Sequence, residues 1–133
     1  MELINNEFGV ITYDSQTEIM LFTWKDKLLS KEKFKEMVST LAENVENKKT
    51  KSIYVDARLN KFTMSEDIRE WHDNEIVGKY VGAGVKKMGF VMPKSLFSEM
   101  THKSTFDKQN AKELLPTQFF NSEEDTLNWL KEG

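Results

Sequence analysis

The chain has 133 residues, of which 38% are hydrophobic and 31% charged, and a net charge of −3. This size and balance fit a single globular domain over 1–133 rather than a disordered chain. The lysines are interleaved with Glu and Asp, which argues against a duplex-binding protein and for a solvated surface. There is no cysteine, so disulfides, thiol catalysis and cysteine-ligated metals are excluded.

The opening residues Met1 to Val10 carry Glu2 and Glu7 and no long apolar run, the pattern of neither a signal peptide nor a transit peptide. No apolar stretch approaches the ~20 residues that span a bilayer. The expectation is a cytoplasmic protein that does not span a membrane.

Phe8 to Tyr13 reads as a strand, Asp14-Ser15-Gln16-Thr17 as a turn, and Glu18 to Trp24 as a second strand completing an antiparallel hairpin. Helical spacing follows in Phe34, Met37, Val38, Leu41, Ala42 and Val45. Ser30 stands at the N-cap, Leu29 and Phe34 at the positions of a hydrophobic staple, and Asn47-Lys48-Lys49 closes the helix with cations at its negative pole. Ser52 to Ala57 is a short strand and Arg58 to Met64 a polar loop. Thr63-Met64-Ser65-Glu66 fits a capping box for a second helix running to about Tyr80, weakened at its end by Gly78, Gly82 and Gly84. Lys87 to Met92 is a strand stopped by Pro93, Lys94 to about Lys108 a third helix, and Thr117 to Phe120 a last strand. Ser122-Glu123-Glu124-Asp125 caps a terminal helix anchored by Leu127 and Leu130.

This order predicts an α/β fold: an opening β-hairpin, then four β-α steps, in a mostly parallel sheet of about five strands with helices mainly on one side. Both faces of the hairpin strands are apolar, Ile19 and Leu21 on one side and Met20, Phe22 and Trp24 on the other. Either helices cover both faces, or a partner covers one. If all helices share one side, the expectation is a homodimer through the face that includes Met20, Phe22 and Trp24.

No motif names a reaction. The chain has two histidines, His72 and His102, and no His-Glu-x-x-His. Asp73 and Glu75 fall on other parts of the helix surface than His72. An enzyme would need the two histidines to converge within about 10 Å. Gly78-Lys79-Tyr80-Val81-Gly82-Ala83-Gly84 closes a helix instead of opening one, and lacks the ending of a phosphate loop. No nucleophile elbow is present. Catalytic residues, cofactors and metals are therefore expected to be none. Position singles out Asp56, Arg58, Asn60, Lys61, Thr63 and Ser65, at the carboxyl end of a central strand and the start of a helix, where α/β proteins bind ligands. A second candidate is an apolar pocket between helices lined by Trp71, His72, Tyr80, Phe97 and Met100.

The hairpin Phe8–Trp24, the strand Ile53-Tyr54-Val55-Asp56 with its loop and helix, the strand Met88-Gly89-Phe90-Val91-Met92, and the ending Phe119-Phe120-Asn121-Ser122-Glu123-Glu124-Asp125-Thr126-Leu127-Asn128-Trp129-Leu130 together resemble the STAS domain. The closer likeness is to stand-alone bacterial STAS/Sec14-type proteins, relatives of anti-sigma-factor antagonists. The resemblance implies a β-α superhelix and a non-enzymatic role, in regulation through a partner protein or in binding a lipid-like or other small ligand. Regulatory members carry an Asp-Ser-Ser/Thr-Gly-like motif at the start of the second helix, whose serine is phosphorylated. The matching stretch, Asn60 to Glu66, lacks the glycine and the paired hydroxyls. Glu66 and Asp67 would repel a phosphate on Thr63 or Ser65, so the phospho-switch is not expected here. The leading reading is a binding or regulatory module acting at the loop before the second helix. The alternative is a small-molecule or lipid carrier.

Overall fold

The computed structural model describes residues 2–59, 65–93 and 115–132. Its six-stranded sheet runs in sequence order: β1 (Glu2–Asn5), β2 (Gly9–Asp14), β3 (Ile19–Trp24), β4 (Ser52–Asp56), β5 (Lys87–Val91) and β6 (Thr117–Phe120). β1, β2 and β3 pair antiparallel, and β3 to β6 are parallel. The sheet thus has one strand more than expected. β1 escaped the sequence reading because only Leu3 and Ile4 mark it, and an edge strand needs little apolar surface.

Turn chemistry sets the hairpins. Asp14 Oδ1 accepts the Gln16 N–H at 3.0 Å, and Asn6 Oδ1 accepts the N–H groups of Phe8 and Gly9 at 2.9 and 3.1 Å. Helix α1 (Lys31–Lys48) starts at Ser30, whose hydroxyl accepts the Lys33 N–H at 3.2 Å. It buries the six apolar residues that its spacing singled out, and the staple pair Leu29 and Phe34 enters the same core. A second, continuous helix comprises α2 (Glu66–Trp71), a π-helical segment (His72–Ile76) and α3 (Val77–Ala83). Gly84 ends it at φ 100°, a left-handed conformation that glycine takes without strain. Helix α4 (Glu123–Lys131) begins at Ser122, whose hydroxyl accepts the Asp125 N–H at 3.2 Å. The helix expected over Lys94 to Lys108 lies outside the described residues.

Strand alternation sorts the helices. Met20, Phe22, Ile53, Val55 and Met88 face α1, α2 and α3, and form the main core with them. Ile19, Leu21 and Tyr54 face the other way and pack with Leu127, Trp129 and Leu130 of α4. Helices therefore cover both faces, with α1 to α3 on one and α4 on the other. This corrects the expected dimer face: Met20, Phe22 and Trp24 are buried beneath α1, with Trp24 stacked on Phe34 at 5.6 Å between ring centroids. No second copy can reach those residues while α1 is in place.

α4 lies close on the sheet because Gly89 leaves room for it. A Cβ built there would stand 2.7 Å from Thr126 Cγ2 and 3.5 Å from the Leu130 side chain. Lys87 ties down the far end of the helix, donating to the Trp129 and Glu132 carbonyls at 2.9 and 2.8 Å. Gly89→Ala is expected to lower the unfolding free energy by about 1–3 kcal/mol in urea titrations, as overpacking does. Gly78→Ala, on an exposed helical position with no neighbour within 4 Å, is expected to raise it by about 0.5–1 kcal/mol.

Candidate functional site

β4 is buried along its whole length, so its chain must leave the core abruptly. Asp56 is the last strand residue and makes that exit. Its Oδ1 accepts the Arg58 N–H at 3.1 Å and Arg58 Nε at 3.0 Å, and its Oδ2 accepts Nη2 at 2.6 Å. This two-pronged pairing fixes the guanidinium plane, and the hydrogen bonds to Asp56 push the Arg58 pKa further above its ordinary value. On its outer side, Nη2 stands 3.9 Å from a Glu123 carboxylate oxygen at the first turn of α4. Tyr54, two residues before Asp56 and on the same sheet face, is only 3% exposed. Burial, followed by the charges of Asp56 and Glu123, raises its phenol pKa and keeps it protonated. Tyr54, Asp56, Arg58 and Glu123 thus meet at one corner, where the carboxyl end of β4 passes under the start of α4.

The loops at this end of the sheet carry two solvent-facing leucines. Leu28, between β3 and α1, is 81% exposed, and Leu59, directly after Arg58, is 53% exposed. A further tie joins the starts of α1 and α2. The Ser65 hydroxyl bonds Asp67 instead of capping a backbone N–H, and Lys31 Nζ donates to Asp67 Oδ2 at 2.9 Å.

Of the residues first singled out by position, Asp56 and Arg58 are brought together, whereas Ser65 bonds Asp67. Asn60, Lys61 and Thr63 lie outside the described residues. Sequence reasoning missed Tyr54 and Glu123. The strand alternation that placed Tyr54 beside Asp56 was a usable signal; Glu123 was read only as part of a cap.

The second candidate group divides. Trp71 is half-buried with Lys35 Nζ 5.3 Å from its ring centroid, and the His72 ring lies 6.2 Å from Tyr80 in an edge arrangement. His72 Nδ1 comes within 3.8 Å of Asp73 Oδ1, closer than ordinary helical spacing suggested. Tyr80 is fully buried in the main core, and its hydroxyl has no hydrogen-bond partner among the described residues. Phe97, Met100 and His102 lie outside those residues. A shallow groove of about 330 Å³ lies at the opposite end of the sheet, lined by Thr12, Tyr13, Asp14, Ser15, Gln16 and Leu21. Among the described residues no three His, Asp or Glu side chains converge as metal ligands, and no helix is long and apolar enough to cross a membrane.

Comparison with known proteins finds no match to a protein-family model, a curated protein or a solved structure.

Two outcomes follow from these contacts. Tyr80→Phe is expected to stabilise the fold by about 1 kcal/mol in chemical denaturation, because it removes a buried hydroxyl that has no hydrogen-bond partner among the described residues. The hydrogen bonds from Ser65 and then Lys31 hold the Asp67 carboxyl down at about 2. A lowered native pKa adds stability above the ordinary carboxyl range, and that stability is lost as pH falls toward about 2. Ser65→Ala should raise the Asp67 midpoint in a carboxylate NMR titration; an unmoved midpoint would remove the serine as the cause.

Proposed function

We propose that the chain is a non-enzymatic binding or regulatory module, STAS-like in arrangement, whose contact surface is the corner formed by Asp56, Arg58 and Leu59. The observation that carries this reading is the pairing of a fixed guanidinium with exposed leucines. Leu28 and Leu59 are exposed and belong to neither core cluster among the described residues, and they stand on neighbouring loops at one end of the sheet. Arginine is one of the residue types enriched among the few that dominate binding energy at protein interfaces. The Asp56 clamp holds Arg58 in place before any partner arrives, which reduces the ordering cost of association.

The corner also suits this role by position, since ligands of parallel α/β sheets gather outside the carboxyl ends of the strands. That position does not distinguish a protein from a small ligand, and the exposed leucines favour a protein.

A photo-crosslinking amino acid placed at position 59, with position 81 on α3 as the control, tests the reading in cells expressing the full chain. A discrete protein adduct from position 59 that Arg58→Lys, which keeps a cation beside Asp56, weakens in a still-folded chain supports a protein partner. A co-purified small mass that the same variant loses in native mass spectrometry supports a small ligand. Neither result, or identical adducts from positions 59 and 81, overturns the proposal.

A further inference from the structure

We propose that the corner between β4 and α4 receives a carboxylate, bound by the free edge of Arg58 and the Tyr54 hydroxyl, with Glu123 as the group it displaces. The inference rests on reading this corner as a contact surface and names the chemistry of what it contacts.

The idle groups at the corner are donors. Arg58 spends Nε and one edge of Nη2 on Asp56, while Nη1 makes no hydrogen bond among the described residues. The side chain is still 45% exposed, with its guanidinium held in a fixed orientation by Asp56. Tyr54 is enclosed by the sheet and by Leu127 and Leu130 of α4, yet its hydroxyl bonds nothing among the described residues. Unlike the hydroxyl of Tyr80, it is not sealed in. A neutral phenol beside a guanidinium offers hydrogen bonds to an anion, and planar two-point pairing is what arginine gives a carboxylate.

The acidic side chains nearby do not oppose this assignment equally. Asp56 is offset by Arg58 itself. Glu124 and Asp125 sit in the first turn of α4, where its N–H groups attract negative charge. Glu123 is the true competitor. At 3.9 Å from Nη2 and largely exposed, it is a loose occupant that a better-placed carboxylate can replace. Its charge also sets a threshold, so that only a carboxylate brought by additional contacts displaces it. Leu59 lies next to Arg58 in the chain and is available for such a contact.

NMR titration of the full chain, reading the Arg58 Nε–H and the Leu59 amide, tests this. The probes are acetyl-Leu-Asp-Leu-amide, its Asn counterpart, and sodium acetate against sodium chloride at equal ionic strength. The expected result is saturable binding of the Asp peptide, about tenfold weaker for the Asn peptide because a charged acceptor is lost. Tyr54→Phe should weaken the Asp peptide several-fold at unchanged melting temperature, and Glu123→Gln should tighten it. Acetate is expected to saturate only at much higher concentration than the peptide; acetate matching the peptide would overturn the requirement for contacts beyond the carboxylate. Equal titration by the Asp and Asn peptides, or no effect of either variant, overturns the proposal. A position-59 adduct persisting after that failure would leave the contact surface standing without the carboxylate. Carboxylate binding with neither an adduct nor a co-purified mass would sink the broader reading and keep this one.

Discussion

Everything in this fold depends on covering β4 from both sides. All of its residues, Ser52 to Asp56, are buried, and consecutive side chains point to opposite faces. Ile53 and Val55 need α1 and α3; Tyr54 needs α4. Each such side chain contributes about 1.5–3 kcal/mol only if its own face is closed. A sheet with helices on one side would strand Tyr54, Ile19 and Val91 in water. The loss of Cβ at Gly89 is the local concession that lets α4 close that face.

The same constraint produces the candidate site. A strand buried to its last residue must end in a group that can turn the chain out of the core, and Asp56 does so by bonding the N–H two residues on. A nearly buried carboxylate is costly unless paired, and Arg58 pairs it with two fork bonds. The guanidinium is thereby held where the sheet, α4 and the following loop meet. What fixes the chain exit also sets out a rigid cation beside Leu59.

How legible this was depended on how local each signal is. α1 was readable residue by residue because its eighteen positions keep an unbroken helical period. β1 was not, since two apolar residues at a sheet edge carry almost no pattern. The two-sided apolar character of β3 was visible, and the choice between a helix and a second copy of the chain was not. That choice turned on α4 crossing to the far face, and the spacing of Thr126, Leu127 and Leu130 is the same whichever face it takes. Asp56 and Arg58 were legible from their place at a strand end. Strand alternation already sets Tyr54 beside Asp56, whereas Glu123 joins them only through the docking of α4, a contact that no sequence spacing encodes.

The placement of α4 has a consequence for the order of assembly. The face under α1 is built from units adjacent in the chain: β3, α1 and β4 close on one another through short excursions. The opposite face closes only when α4 docks on β4 and β5, and α4 follows β4 by about 70 positions. Closing so long a loop is entropically expensive, and non-local contacts of this kind form slowly. Ile19, Leu21 and Tyr54 are therefore expected to stay open to water until α4 docks. The face that the native chain hides with its last helix is thus the last part of the core to be completed as the protein folds.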